Sequence, residues 1–133
     1  MFVCTYNSVR SQIAEGLLKA LAPSKFEVRS AGVSPTGVNP IAIEVMKEIG
    51  IDISSQYSKD IRDFLDEKFD YVITVCEEAD KSCPLFPDKA KRISWSIKDP
   101  GTTIGNQENI VWAFRKTRDT LKDLISQFIR NKD

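Results

Sequence analysis

The chain has 133 residues, of which 41% are hydrophobic, and this is enough for one domain with a substantial core. Its 19 basic residues balance its 19 acidic residues, so the net charge favours neither nucleic acid nor an anionic membrane as a partner. No apolar run approaches the ~20 residues of a membrane span, and nothing resembles a signal peptide. We therefore expect a cytoplasmic protein with a single domain over residues 1–133.

The N-terminal part alternates between patterns typical of strands and of helices. Residues 1–3 predict a short strand. The apolar spacing across residues 11–21 predicts an amphipathic helix with one apolar face, formed by Ile13, Ala14, Leu17, Leu18 and Leu21. Residues 26–29 predict a second strand. A second helix is predicted over residues 40–49, with Asn39 as its N-cap and a glycine at its end.

The remaining elements complete an alternating α/β pattern. A short helix is predicted around residues 60–66, and the apolar run over residues 69–75 is typical of a strand buried on both faces of a parallel sheet. Residues 91–95 predict a fourth strand, and residues 107–130 predict a long amphipathic helix. The pattern indicates an α/β three-layer sandwich around a four-stranded parallel sheet, with ligands at the carboxyl ends of the strands.

The clearest chemical motif begins at Cys4. Arg10 follows it after six residues, and Ser11 comes next. A loop of backbone N–H groups that leads into a helix favours a thiolate, and a guanidinium at its end can bind a tetrahedral oxyanion. Ser11 can donate a hydrogen bond to the sulfur. The motif predicts a nucleophilic cysteine and an oxyanion-binding loop, whose members are Thr5, Tyr6, Asn7, Ser8, Val9 and Arg10. The alternative is a small buried Cys4 at the end of a strand and a surface Arg10.

The composition restricts which catalytic chemistry is available. The chain has no histidine, which excludes Ser-His and Cys-His catalysis. Its three cysteines, at positions 4, 76 and 83, would need a further ligand to bind zinc, so we expect no metal and no cofactor. In a cytosolic chain such cysteines are more typical of catalysis or redox chemistry than of structural disulfides.

Motifs along most of the chain carry a family resemblance. Besides the loop, they are Ser30-Ala31-Gly32, residues 37–40, residues 50–54 and Lys98-Asp99-Pro100. Together they resemble the low-molecular-weight protein tyrosine phosphatase superfamily, which implies a flavodoxin-like, low-molecular-weight phosphatase-like fold. Cys76 and the later Cys83 resemble the thioredoxin-coupled arsenate reductases of that superfamily, and the plain phosphatases lack this pair.

The resemblance implies a relay of thiols. Cys4 would attack arsenate held by Arg10 and the loop amides, while Asp99 acts as the general acid for the departing oxygen. Cys76 would then attack the Cys4 sulfur, which expels arsenite and leaves a disulfide between these two residues. Cys83 would move the disulfide to the 76–83 pair, where thioredoxin or a similar dithiol donor can reduce it.

The chain departs from the resemblance at two places. Tyr6 stands where the loop normally has glycine, so either its backbone is unstrained or the loop differs locally, and its ring could line the mouth of the pocket. Some relatives bind potassium beside the loop through an asparagine, a glutamate, a serine and an aspartate. Asn7, Glu15 and Ser30 match three of them, whereas Lys59 stands in place of the aspartate. Its ammonium could occupy the cation position, or it could point to solvent.

Two other functions remain open at the level of the sequence. A phosphatase that hydrolyses phosphate monoesters through a Cys4 phosphocysteine would need only Cys4, Arg10, Ser11 and Asp99. However, residues 101–103 read Gly-Thr-Thr, where phosphatases usually carry tyrosines that flank an aromatic substrate. A non-catalytic oxyanion-binding module is the third possibility. The Asp99-Pro100 pair could also be an ordinary turn.

Overall fold

Four short parallel strands form the sheet of the protein. The computed structural model describes residues 1–77 and 90–132. The strands are β1 (Phe2–Cys4), β2 (Ser30–Gly32), β3 (Tyr71–Thr74) and β4 (Lys91–Ser94). They lie in the order β2-β1-β3-β4, and every neighbouring pair is parallel. The predicted α/β fold with a four-stranded parallel sheet is confirmed.

Three α-helices and two 3₁₀ helices connect and follow these strands. The α-helices are α1 (Arg10–Leu21), α2 (Pro40–Lys47) and α3 (Gln107–Arg130), and the 3₁₀ helices span Ile61–Phe64 and Pro100–Thr102. The short helix predicted around residues 60–66 is therefore the first 3₁₀ helix. No helix in the described ranges combines the length and the apolar character needed to cross a membrane.

The ends of α2 follow from local chemistry. The Asn39 side chain accepts a hydrogen bond from the backbone N–H of Ile41 at 2.8 Å, and Pro40 occupies the first helical position. Beyond the helix, Gly50 adopts a φ of 80°, a left-handed conformation that glycine reaches without steric cost. The predicted N-cap and glycine stop are both confirmed.

The alternation of side chains along the strands divides the core between the two faces of the sheet. On one face, Phe2, Cys4 and Ile73 belong to the large apolar cluster that the three α-helices cover. On the other face, a smaller cluster packs against the first 3₁₀ helix, and its buried members are Val3, Ala31, Ile61 and Val72. The sheet is therefore buried on both faces, which is usual for parallel strands.

Two predictions about the N-terminal half were wrong. The second strand is Ser30–Gly32 and not residues 26–29. Val28 and Phe26 do contact the core, so their apolar character reflects burial and not strand pairing. Leu21, predicted on the buried face of the first helix, is 41% exposed at the last position of α1.

Candidate active site

The loop between β1 and α1 forms the base of a small pocket at the carboxyl edge of the sheet. Cys4 ends β1 and is buried, and Arg10 begins α1. The pocket has a volume of about 150 Å³. Its lining residues come from this loop, from the segment before α2 and from the second 3₁₀ helix, and they are Cys4, Tyr6, Ser8, Val9, Arg10, Thr36, Asn39, Asp99, Gly101 and Thr102.

The backbone carbonyls of the loop are bonded to groups outside it. The oxygens of residues 5, 6 and 8 accept hydrogen bonds from the N–H groups of residues 34, 36 and 39, at 3.0, 3.2 and 3.1 Å. The oxygen of Asn7 accepts from the Ser58 hydroxyl at 2.6 Å and from the Gln12 amide at 3.1 Å. These bonds turn the carbonyl dipoles away from the pocket, where they would repel an anion.

Asn7 holds the loop in shape. It is fully buried, and its φ of 46° is in the left-handed region, which asparagine tolerates better than most residues. Its side-chain oxygen accepts from the backbone N–H of Lys59 at 2.8 Å and from the Gln12 amide at 3.0 Å. Because a backbone N–H can only donate, this contact fixes which end of the Asn7 amide is the oxygen.

Asn7 and Ser11 connect the loop to the nucleophile by hydrogen bonds. The Asn7 amide nitrogen donates to the Ser11 hydroxyl oxygen at 2.7 Å. The Ser11 hydroxyl in turn lies 2.8 Å from the sulfur of Cys4. The sulfur of an ionised cysteine can only accept, so the Ser11 hydroxyl is the donor to a Cys4 thiolate. A hydrogen bond to an ionised group is about twice as strong as a neutral one.

Arg10 and Asp99 lie side by side in the lining of the pocket. Arg10 is buried, and one guanidinium nitrogen donates to the carbonyl of Ile97 at 3.0 Å. Its other terminal nitrogen lies 3.9 Å from a carboxylate oxygen of Asp99. The second Asp99 oxygen accepts from the backbone N–H of Gly101 at 2.9 Å, as the cap of the second 3₁₀ helix. Asp99 is therefore both a turn residue and a carboxyl group that lines the pocket.

A buried ionic cluster lies behind the loop. The Ser30 hydroxyl accepts from the Asn7 amide at 3.0 Å and donates to the Glu15 carboxylate. The Lys59 ammonium lies 3.4 Å from the same carboxylate oxygen and donates to the carbonyl of Tyr57 at 2.8 Å. Burial lowers the pKa of Lys59, an effect that the Glu15 charge opposes. The lysine at position 59 therefore points into the cluster and not to solvent.

Tyr6 stands at the mouth of the pocket. Its φ is not in the left-handed region, because Asn7 is the one non-glycine residue with a positive φ in the described ranges. Position 6 thus needs no glycine, and the first of the two alternatives offered by the sequence holds. The tyrosine is 44% exposed and lines the pocket together with Cys4.

The second cysteine lies at the same edge of the sheet as the first. Cys76 follows β3, which pairs directly with β1, and it is buried. Its thiol lies 3.9 Å from the carbonyl oxygen of Val3, the residue before Cys4. Cys83, which the resemblance implies as the third member of the relay, lies outside the described residues.

Some residues that support the loop were not identified from the sequence, because no motif or spacing marks them. Gln12 is fully buried, and its amide binds both the backbone and the side chain of Asn7. Ser58 binds the Asn7 carbonyl, and Gln56 donates to the Gln12 side chain at 2.7 Å.

The described ranges contain no group of three or more metal-ligating side chains.

Comparison with known protein families agrees with this geometry. The family model described as low molecular weight phosphotyrosine protein phosphatase matches residues 1–132. The chain belongs to this family. Its relatives in the family include the arsenate reductase of Halalkalibacterium halodurans, which is 43% identical over 127 residues, covering 96% of this chain and 91% of the relative. The chain is accordingly an enzyme.

Solved structures of the family have the same fold. A structure described as an arsenate reductase in the phosphate binding state has a TM-score of 0.81 at 35% identity, covering 98% of this chain and 95% of the other. The low molecular weight protein tyrosine phosphatase of T. tengcongensis has a TM-score of 0.80 at 28% identity, with coverages of 98% and 96%. The Corynebacterium glutamicum thioredoxin-dependent arsenate reductase has a TM-score of 0.64 at 31% identity, covering 95% of this chain and 60% of that one.

Proposed function

We propose that this enzyme reduces arsenate to arsenite, with Cys4 as the nucleophile and Cys76 and Cys83 as resolving cysteines. The single observation that carries the proposal is the Ser11 hydroxyl in hydrogen-bond contact with the Cys4 sulfur, 2.8 Å away, in the pocket that Cys4 lines together with Arg10. A thiolate at the base of an anion pocket can attack a tetrahedral oxyanion without help from histidine. The curated relatives named as arsenate reductases favour arsenate as that oxyanion.

The first step joins arsenic to sulfur. The Cys4 thiolate attacks the arsenic(V) atom while Arg10 binds the oxyanion through two parallel hydrogen bonds. Asp99, in its protonated form, gives its proton to the oxygen that leaves, which departs as water. The position of Asp99 beside Arg10, in the pocket that Cys4 also lines, supports this role.

The second step reduces the arsenic. The Cys76 thiolate attacks the Cys4 sulfur and forms a disulfide, and the electron pair of the sulfur–arsenic bond remains on arsenic. Arsenic(V) thereby becomes arsenic(III), and arsenite leaves. The two sulfur atoms together lose two electrons, which balances the reduction. The burial of Cys76 at the end of the strand next to β1 supports this order.

The third step regenerates the nucleophile. Cys83 attacks Cys76, which releases the Cys4 thiolate and leaves a 76–83 disulfide. A dithiol protein then reduces that disulfide and becomes oxidised itself. We propose thioredoxin for this donor because one structural neighbour is described as thioredoxin-dependent. A relay that ends in a reducible disulfide also needs a reducing compartment, so we propose the cytoplasm as its location.

We further propose that the Lys59 ammonium replaces a bound monovalent cation behind the loop. The lysine balances the buried Glu15 carboxylate, which in turn accepts from the Ser30 hydroxyl. A buried carboxylate without a counter-charge would be strongly unfavourable, and Lys59 shares this role with Lys19, which binds the other carboxylate oxygen at 2.6 Å. With the carboxylate held in place, the Ser30 hydroxyl donates to it and accepts from the Asn7 amide, which also donates to Ser11.

The function is tested by arsenate turnover with reduced thioredoxin, thioredoxin reductase and NADPH. The unmodified enzyme is expected to consume one NADPH per arsenite formed. Cys4→Ser should abolish the reaction, because a serine hydroxyl is hardly ionised at neutral pH. NADPH consumption without arsenite, or full activity in Cys4→Ser, would contradict the proposal.

The second candidate is hydrolysis of phosphate monoesters through a Cys4 phosphocysteine. The family description and the structural likeness to the T. tengcongensis phosphatase favour it. It uses the same pocket residues but needs neither Cys76 nor Cys83. Substitution of Cys76 therefore separates the two candidates, because it should stop arsenate reduction and spare hydrolysis.

A further inference from the structure

A second and larger pocket lies between the segment that carries Asp99 and helix α3. Its volume is about 580 Å³, which is within the usual range of small-molecule sites. From that segment it is lined by residues 96–98, 100 and 103–104, whereas the active-site pocket is lined by Asp99, Gly101 and Thr102. No described residue lines both pockets, so the second pocket is a separate site.

The opposite side of the second pocket is one face of α3. Its lining residues on the helix recur at intervals of three and four positions, which places them on a single stripe. They are Asn109, Trp112, Ala113, Lys116, Thr117 and Thr120. Only Thr117 of this set is buried, so most of the stripe remains open to solvent.

The second pocket presents apolar surface that the protein itself leaves uncovered. Trp112 is 59% exposed and Ile104 is 95% exposed, and both line the pocket. Ile97 and Pro100, which are buried, also line it. An exposed indole offers a large flat surface against which another aromatic ring can stack. Covering this surface with an apolar ring removes it from water, which is favourable.

Two lysines give the second pocket a positive charge. Lys98 lines it from the segment and Lys116 from α3, and the described lining residues include no aspartate or glutamate. In the part of the chain that the structure describes, neither ammonium group is paired with a carboxylate. The Lys116 ammonium lies 4.9 Å from the centroid of the Trp112 ring, in a cation–π contact. A cation is therefore already held beside the exposed aromatic surface.

We propose that the second pocket binds a small aromatic acid, with its ring against Trp112 and its carboxylate between Lys98 and Lys116. Both parts of the ligand are needed. A neutral ring would leave the two ammonium groups without a counter-charge, and an inorganic anion would leave the indole and Ile104 exposed to water. Hydroxyl and amide groups of the lining, such as those of Thr103 and Asn109, are available to orient the ligand by hydrogen bonds.

The test is an NMR titration of the isotope-labelled protein with 2-naphthoate and with 2-naphthylmethanol, which has the same rings without the charge. The chain has two tryptophans, and Trp112→Leu identifies the indole N–H signal of Trp112. 2-Naphthoate is expected to shift this signal with a Kd of about 1 mM or tighter. The signal of Trp95, which packs against Phe2 and does not line the second pocket, should not move. 2-Naphthylmethanol should bind at least about 2-fold more weakly.

Substitutions separate the contribution of the charges from that of the ring. Lys98→Gln and Lys116→Gln should each weaken 2-naphthoate binding by about 2- to 5-fold and leave 2-naphthylmethanol binding unchanged. Lys122→Gln is the matched control, because Lys122 is exposed on the same helix and does not line the second pocket. Trp112→Leu, followed through the backbone signal of Ala113, should weaken both compounds by about 2- to 10-fold, whereas Trp112→Phe should retain most of the affinity.

Four results would overturn the proposal. They are an unmoved Trp112 signal, equal affinity for the charged and neutral compounds, equal effects of Lys116→Gln and Lys122→Gln, and competition by phosphate. Saturating phosphate at equal ionic strength should leave 2-naphthoate binding unchanged, because the two pockets share no described lining residue. Displacement by phosphate would instead place the aromatic acid in the Cys4 pocket. None of these measurements requires turnover, so they stand apart from the test of arsenate reduction.

Discussion

At the scale of single residues, Asn7 connects the shape of the loop with the reactivity of Cys4. Its left-handed backbone turns the chain, and its amide donates to the Ser11 oxygen, which lies 2.8 Å from the sulfur. The sequence motif suggests the proposed roles of Cys4, Arg10 and Ser11, because the chemistry of these side chains is evident from residue type. It could not predict the part played by Gln12, since a buried glutamine on a helix has no pattern of its own.

The hydrogen bond from Ser11 gives a direct prediction. Ser11→Ala should lower kcat/KM for arsenate by about 10- to 100-fold, because a hydrogen bond to a charged group contributes about 1.5–3 kcal/mol. The rate of Cys4 alkylation by iodoacetamide at neutral pH, followed by peptide mass mapping, should fall as well. Ser34→Ala is the control, because Ser34 is exposed and only its backbone bonds to the loop. Equal rates in Ser11→Ala and the unmodified enzyme would contradict the proposed direction of the bond.

The position of Lys59 gives a second prediction at this scale. Lys59→Asp should remove the ammonium and create a need for a monovalent cation beside Glu15. Arsenate turnover of this variant should be slower in sodium chloride and faster in potassium chloride at equal ionic strength, whereas the unmodified enzyme should not distinguish the salts. Lys19→Asp serves as the control, because Lys19 binds the other oxygen of Glu15 from the surface, with half of its side chain exposed. A potassium response shared by both variants would contradict the assignment.

At the scale of elements, the position of β2 is determined by how closely its backbone approaches the loop after β1. A Cβ atom on Gly32 would lie 2.7 Å from the Thr5 carbonyl oxygen and 2.8 Å from that of Cys4. The strand beside β1 therefore needs a glycine where it meets the loop, and Ser30 must reach Glu15 and Asn7. The apolar pattern of the sequence favoured residues 26–29 as the second strand. Such a pattern indicates which side chains are buried, but it does not indicate which backbone segment forms hydrogen bonds with β1. The helices were predicted more closely, since caps such as Asn39 act locally.

The packing of α2 against α3 gives a prediction about acid stability. Glu48, just after α2, binds Arg115 and Arg118 of α3 at 2.7 and 2.9 Å. The hydrogen bond from Arg115 is the main cause that lowers the pKa of Glu48 from 4.5 to about 2. A lowered folded-state pKa stabilises the protein above pH 4.5, and this stabilisation is lost as the pH falls toward 2.

Glu48→Gln should therefore reduce the free energy of unfolding at pH 7 by about 0.5–1 kcal/mol, a small amount because the pair is partly exposed to solvent. Its stability should also fall less steeply than that of the unmodified protein between pH 5 and pH 2. Urea denaturation at a series of pH values measures both effects. Asp123→Asn, an exposed change elsewhere on α3, is the control. Identical pH profiles for Glu48→Gln and the unmodified protein would contradict this account.

At the scale of the whole molecule, the parallel sheet brings distant parts of the sequence to one edge. Cys4 follows β1, Cys76 follows β3, and Asp99 follows β4, and the strand order places β1 and β3 side by side. This convergence could be predicted because the carboxyl ends of parallel strands share an edge. The contact between Lys59 and Glu15 could not, because it depends on how the segment before the first 3₁₀ helix folds back over α1.

The measurement that tests the relay most directly is the identity of the disulfide trapped in two variants. Cys83→Ser, exposed to arsenate without a reductant, should accumulate a disulfide between Cys4 and Cys76, detectable by peptide mass mapping, and should release one arsenite per enzyme. Cys76→Ser should release no arsenite by this route and should keep its hydrolysis of 4-nitrophenyl phosphate. If both variants instead reduce arsenate with thioredoxin at the unmodified rate, the relay is contradicted and the phosphatase function remains.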